Sequence, residues 1–277
     1  PSPEPIAGAP VFVCLAETPP AVDGMVEAAK RYLAPHRLNE AKIAHESTII
    51  EKGNWKLVME NNRECYHCAG SHPSLCRTFP DRPGYTSMDE HGNVEPIIAQ
   101  HWAKCEAAGL PSRFHLDPDH QWRFVRIPLL GAGESFTLDG KAAVPTKRLS
   151  TAPFADAGSL LFFHYPNSWN HFLGDHATVF RILPISPTET EVTTKWLVHK
   201  DAVEGVGVPR PDLDPGERGL LVRAADPELL HLELPALLDH AVENAPHDVG
   251  VDEVTFERDR LVHHLALRVP GFSALVF

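Results

Sequence analysis

From Trp122 to Lys200 the chain is a succession of strand-like runs, and this constrains its fold more than any other feature. The runs are WRFVRIPLL, ESFTLDG, SLLFFHYPNSW, HATVFRILPIS and TEVTTKWLVHK, rich in β-branched and aromatic residues. Asp139-Gly140 is a turn signal between two of them. The texture before this block is different. Met25 to Leu33 and Ile97 to Ala108 carry helical spacing, Lys42 to Ile50 alternates as a strand does, and Val11 to Leu15 forms a short apolar strand in a Pro-rich lead. Successive strands with helices on either side predict an antiparallel α+β domain.

The chemistry is concentrated in NWKLVMENNRECYHCAGSHPSLCRTFP, from Asn54 to Pro80. Trp55, Val58, Met59, Asn62 and Tyr66 recur at helical spacing, which predicts a helix from about Asn54 to Cys68. Glu64 and His67, three apart, share one face of it. His72 follows five residues later, and five helical steps of about 100° would splay the two imidazoles by about 140°. Gly70 and Pro73 offer a way round this, because a helix that ends near Gly70 lets His72 return from the following turn. Two neutral imidazoles and a carboxylate form the facial donor set of mononuclear non-haem Fe(II). Spacing alone leaves other readings open. Seventeen histidines must produce some close pairs by chance, and two such rings can simply hydrogen-bond at a helix end. Zinc held by Cys65, Cys68, His67 and His72 is a further reading, opposed by the fact that adjacent helical residues cannot all turn inward.

The pattern of Glu60, Asn61, Glu64, Cys65, His67, Cys68, His72, Pro73 and Leu75 resembles the catalytic-domain signature of Rieske-type oxygenase large subunits. The likeness is to their glycine-betaine and stachydrine demethylating branch. It extends from about Val11 to Val206 and includes SLLFFHYPNSWNHFLGDHATVFRILPISPTETEVTTKWLVHKDAVEG. The resemblance implies His67 and His72 as ligands of a mononuclear Fe(II). It implies Glu64, where many relatives carry Asp, as the acid linking that iron to a neighbouring subunit's Rieske [2Fe–2S] cluster. The ligand carboxylate must then come from further along. The resemblance also sharpens the fold to a helix-grip domain of the START/Bet v1 kind, a curved antiparallel sheet around a long helix.

Its functional implication is O2-dependent N-demethylation of a betaine-like quaternary ammonium substrate. Electrons would come from an NAD(P)H-dependent flavin/iron–sulfur reductase, and the assembly would be a homo-oligomer, a trimer by resemblance. The alternatives are an aromatic-ring-hydroxylating dioxygenase large subunit and an inactive or metal-free helix-grip binding module. His164, Trp169, His171 and Phe172 fall on adjacent strands. They read either as ordinary sheet packing or as a cavity wall whose aromatic faces would attract a quaternary ammonium ion, with Trp169, His171 and Phe172 as the substrate-binding candidates. His101 and Cys105, four apart on one helix face, read as packing residues rather than ligands.

Composition bounds the rest. A formal charge of −12 argues against nucleic acid and anionic membranes as partners. No apolar run approaches a membrane span, and the Pro-rich start lacks the parts of a signal peptide, so a cytoplasmic protein is expected. Five cysteines, an odd number, do not read as a disulfide framework. Cys65-Tyr66-His67 imitates the first half of a Rieske cluster motif, but Cys76 is followed by Arg77, Thr78 and Phe79 rather than by a C-x2-H. The cluster is therefore expected to be required but not bound by these residues. The expected organisation is a linker over 1–20 that would follow a Rieske domain, a catalytic domain over 21–206, and a divergent segment over 207–277. Beyond Gly207, Ile, Lys, Cys, Met, Trp, Tyr and Gln all disappear. A reading-frame change in GC-rich DNA and a divergent C-terminus would each do this. Asp226, spaced from Asp212-Leu213-Asp214 and followed by Leu229 and Leu230, is the candidate third iron ligand.

Overall fold

The structure, a computed structural model, describes residues 11–14, 17–18, 20–63, 67–68, 75–79, 88–89, 91–117, 119, 121–137, 139–203 and 273–276. Its centre is a seven-stranded sheet of order β2-β8-β7-β6-β5-β4-β3. The strands are β2 (Ala41–Glu51), β3 (His115–Leu116), β4 (Trp122–Ile127), β5 (Ser159–His164), β6 (Ser168–Phe172), β7 (His176–Ser186) and β8 (Glu189–His199). Every pairing in it is antiparallel. A separate antiparallel pair joins β1 (Val11–Cys14) to β9 (Ser273–Val276). Among the described residues three α-helices precede or interrupt the strands: α1 (Asp23–Leu33), α2 (Trp55–Arg63) and α3 (Pro96–Ala107). The α+β expectation is met, and so are most element positions, each within a few residues.

From β4 to β8 both faces of the sheet carry buried apolar side chains, so these strands alternate between two apolar neighbourhoods, whereas the edge strand β2 is largely exposed. On one face Phe124, Leu160, Phe162, Phe172, Ala177, Val179 and Leu197 pack with Met25, Ala28 and Tyr32 of α1. On the other face, Trp169 and Ile182 meet Met59 of α2, with Phe163 and Phe180 beside them. Farther along that second face, Val125, Ile127 and Leu161 meet Ile98 and Trp102 of α3. The register explains this division. Phe163 lies opposite Trp169 and Trp169 opposite Phe180, while Leu160 lies opposite Phe172 and Phe172 opposite Ala177.

One expected strand is not a strand. ESFTLDG folds back on itself: the Glu134 amide donates to the Gly140 carbonyl at 2.7 Å, and the Gly140 amide to the Thr137 carbonyl at 3.1 Å. The Asp139 carboxylate accepts from Thr137 Oγ1 and from the Lys141 amide, and Gly140 takes a φ of 73° that other residues resist. The turn signal at Asp139-Gly140 is therefore real, but it closes a loop instead of a hairpin. Local side-chain hydrogen bonds outcompete strand pairing there.

Candidate active site

The candidate iron segment begins with α2. Asn54 caps this helix, its side-chain oxygen accepting the Lys56 amide at 3.0 Å, and its amide group ties the cap to the Pro187 carbonyl in the β7–β8 turn. Trp55, Val58 and Met59 point down onto Trp169, Ile182 and Phe180, and this fixes the helix across β7. The helix is described to Arg63, short of the expected end at Cys68. His67 is partly exposed and Cys68 is buried, with its Sγ 4.0 Å from His67 Nε2. The chain is described again at Leu75–Phe79, where Leu75 and Phe79 pack against Leu129, Phe136 and Leu173. The Phe79 ring stands 6.2 Å from that of His171. Both described flanks of the candidate segment thus rest on the same face of the sheet.

Glu64, His72 and Asp226 lie outside the described residues, as do Cys65 and the whole of 207–272. Among the described residues no cluster of three His, Cys, Asp or Glu side chains could hold a metal.

The structure brings two of the substrate-binding candidates together and separates the third. Trp169 and His171 share the α2 face. Trp169 is stacked on Phe180 at 4.8 Å and covered by α2, while His171 is boxed by Phe79, Phe136 and Phe180. His171 Nδ1 lies 3.3 Å from Ser159 Oγ. Burial, and then the neighbouring His176, lower its pKa to about 4, so the ring is neutral at pH 7. Phe172 corrects the sequence reading. It is fully buried on the opposite face, 5.5 Å from the His36 ring and within the α1 core, so it shares no wall with its neighbours in sequence. His164, also on that face, packs 4.6 Å from the Phe12 ring. The side-chain period of two makes alternate residues of β6 face opposite ways.

Sequence reasoning missed a buried polar network at the turn from β6 to β7. The Asp175 carboxylate accepts Ser135 Oγ at 2.8 Å and the Ala143 amide at 2.7 Å, and lies 2.9 Å from His176 Nδ1. All three side chains are essentially inaccessible. Burial alone would raise the Asp175 pKa, but His176, Ser135 and the Ala143 amide overcome this and hold it below the usual range. The network pins the long β4–β5 connection to the sheet beside His171. Asp175-His176 is adjacent in sequence, but nothing there points to Ser135.

His101 and Cys105 are packing residues, as expected. His101 Nε2 approaches the Ala157 carbonyl at 3.2 Å and Cys105 Sγ at 3.4 Å. Arg126, fully buried beside them, donates to the Ala157 and Pro111 carbonyls and lies 3.1 Å from His36 Nε2.

With α2 and α3 laid on one face of a large antiparallel sheet, sequence comparison identifies the domain. Residues 38–216 match the family described as ring hydroxylating alpha subunit (catalytic domain), and the chain belongs to that family. Over 212 residues it is 43% identical to the glycine betaine monooxygenase oxygenase subunit of Chromohalobacter salexigens, covering 76% of this chain and 45% of that protein. It is 45% identical over 200 residues to the subunit of the same name from Pseudomonas aeruginosa strain UCBPP-PA14, covering 72% of this chain and 46% of that one. The chain thus spans about half the length of the curated relatives it matches. Among solved structures, it aligns with the quaternary ammonium Rieske monooxygenase CntA at a TM-score of 0.41 and 12% identity, over 81% of this chain and 44% of that one. Naphthalene 1,2-dioxygenase aligns at a TM-score of 0.37 and 18% identity, over 82% and 47%.

Proposed function

We propose that this chain is the catalytic portion of a Rieske non-haem iron monooxygenase that removes a methyl group from a betaine-like quaternary ammonium compound. The observation that carries the reading is the family match, which spans the Glu64–His72 segment, together with relatives named glycine betaine monooxygenase oxygenase subunit. The donor set suits the metal, since imidazole favours Fe(II) and one carboxylate offsets part of its charge. His67 and His72 would supply the imidazoles and Asp226 the carboxylate. Glu64 would stand between this iron and a neighbouring subunit's [2Fe–2S] cluster.

Bound Fe(II) would supply O2-dependent hydroxylation of an N-methyl carbon, after which the hemiaminal releases formaldehyde. The chain's own contribution is orientation and exclusion of water. Aromatic rings on the α2 face would hold the ammonium group, and the neutral His171 imidazole adds no competing charge there. The seven-stranded sheet with α1 and α2 on opposite faces is read as a helix-grip domain over 21–206, with 1–20 as linker and 207–277 completing the site. A homotrimer, an NAD(P)H-dependent reductase and a cytoplasmic setting complete the proposal. Among the described residues no helix is long and apolar enough to cross a membrane.

The test is anaerobic reconstitution with Fe(II), followed by metal analysis and formaldehyde measurement after addition of glycine betaine, reductase and a cluster-bearing domain. Stoichiometric iron and betaine-dependent formaldehyde are the expected results. A chain that binds no iron would overturn the reading in favour of a metal-free module.

A further inference from the structure

Among the described residues, two arginines on the α2 face of the sheet have no counter-charge. Arg63 ends the described part of α2, and its guanidinium carbon lies 6.0 Å from the centre of the Phe163 ring. Arg123, on β4, places its guanidinium carbon 4.9 Å from the centre of the same ring. Neither makes an ion pair or a side-chain hydrogen bond among the described residues. Arg123 Nε is buried without any partner. Burial, and then the charge of Arg63, lower the Arg123 pKa from its ordinary value, with no opposing carboxylate among the described residues. Stacking on an aromatic face accounts for one guanidinium. It does not account for two like charges sharing a ring while a fixed donor points at nothing.

The two arginines also stand at the start of an aromatic row. Arg123 lies opposite Phe163, Phe163 opposite Trp169, and Trp169 opposite Phe180 on consecutive strands. Neighbouring strands are about 4.8 Å apart, so these rings follow the arginines at short intervals along one face.

We propose that Arg63 and Arg123 form a carboxylate-binding subsite that takes the acid end of the substrate. This rests on the proposed N-demethylase reading and narrows it: the substrate is an amino-acid betaine, and a quaternary ammonium compound without a carboxylate is discriminated against. Two planar guanidiniums offer the donors for a bidentate grip on a carboxylate, which would satisfy Arg123 Nε and relieve the repulsion between the two cations.

The experiment is calorimetric titration of the full chain with glycine betaine, with choline, which exchanges the carboxylate for a hydroxymethyl group, and with sodium acetate. It compares the unmodified chain, Arg63→Gln and Arg123→Lys, with iron content and thermal unfolding measured on the same samples. Arg63 is exposed, so its replacement leaves the fold intact. Glycine betaine is expected to bind about tenfold more weakly to Arg63→Gln, the worth of one charge-assisted hydrogen bond, with choline binding unchanged. Arg123→Lys keeps the charge but loses the fork, and should weaken glycine betaine while sparing choline. Equal losses for both ligands, or no loss for either, would overturn the subsite. So would a change in self-association with betaine binding intact, which would assign the arginines to an interface. If the unmodified chain binds no iron, the N-demethylase reading fails separately. Acetate then decides the subsite: binding lost in Arg63→Gln supports it, and binding kept refutes it.

Discussion

At the scale of single residues, burial without charge dominates. His36 and His164 are almost wholly buried, and their pKa values are lowered by desolvation, that of His164 to about 4. His101 and His171 are also lowered to about 4, again chiefly by burial. A histidine whose folded pKa lies below its unfolded value, about 6.5, leaves the unfolded chain binding protons first. Its neutral, packed state is therefore favourable above about pH 6.5 and becomes a liability as pH falls toward 4. Asp175 acts lower down: its depressed pKa adds stability above the unfolded carboxylate range, about 4, and that stability is lost as pH falls through the folded value. Urea midpoints measured at pH 7, 6 and 5 should fall steadily. The slope should reach up to about 1.4 kcal/mol per pH unit for each well-buried histidine, and less for the partly exposed His101 and His171. A flat profile over that range would refute this account. The metal reading is tested at the same scale. His67→Ala and His72→Ala should each lose Fe(II), whereas Glu64→Gln should keep it and lose only electron transfer. Equal iron loss in all three would make Glu64 a direct ligand.

At the scale of elements, the strands β2, β4, β5, β7 and β8 were legible because alternation and β-branched residues mark them in any environment. What alternation does not reveal is which face each residue takes when both faces are buried. This is why Trp169 and Phe172 read as one wall and are in fact on two. The segment from Glu134 to Gly140 misled for another reason: Thr137 and Asp139 satisfy the backbone locally, and Ser135 is claimed by Asp175 from forty positions away. Distant polar pairing of that kind leaves no trace in local sequence. The proposed iron segment was singled out by its residue types, and of its surroundings only the two flanks, α2 and Leu75–Phe79, are described; both pack on one face of the sheet. One glycine connects these elements. Gly158 enters β5 with a φ of 71°, and a Cβ there would run into the Ile127 carbonyl oxygen and the His101 ring. Gly158→Ala should destabilise the domain by about 2–4 kcal/mol through left-handed strain and overpacking together. Chemical denaturation checks this, and a loss under about 0.5 kcal/mol, the range of ordinary surface changes, would contradict it.

At the scale of the whole molecule, the family match ends at residue 216, close to the point beyond Gly207 where seven residue types vanish. Asp226 lies past both limits, so the proposed third ligand is separated from the two histidines by the sharpest compositional boundary in the chain. Electron supply poses the same question more generally. Hydroxylation of a methyl group by O2 consumes two electrons beyond those the substrate provides, and the proposed route for them is a [2Fe–2S] centre. These 277 residues contain Cys65-Tyr66-His67 but no C-x2-H in the register needed to complete a cluster. The iron site, if reconstituted, should therefore be loaded but starved. The purified chain should show no Rieske absorption after cluster reconstitution, and NADH with reductase should produce no sustained formaldehyde. Adding a cluster-bearing domain from a full-length relative should restore turnover, and Glu64→Gln should abolish that rescue while leaving iron content unchanged. Repeated turnover by the isolated chain would show that electrons reach the iron without the cluster, and the proposed route through Glu64 would fall with it.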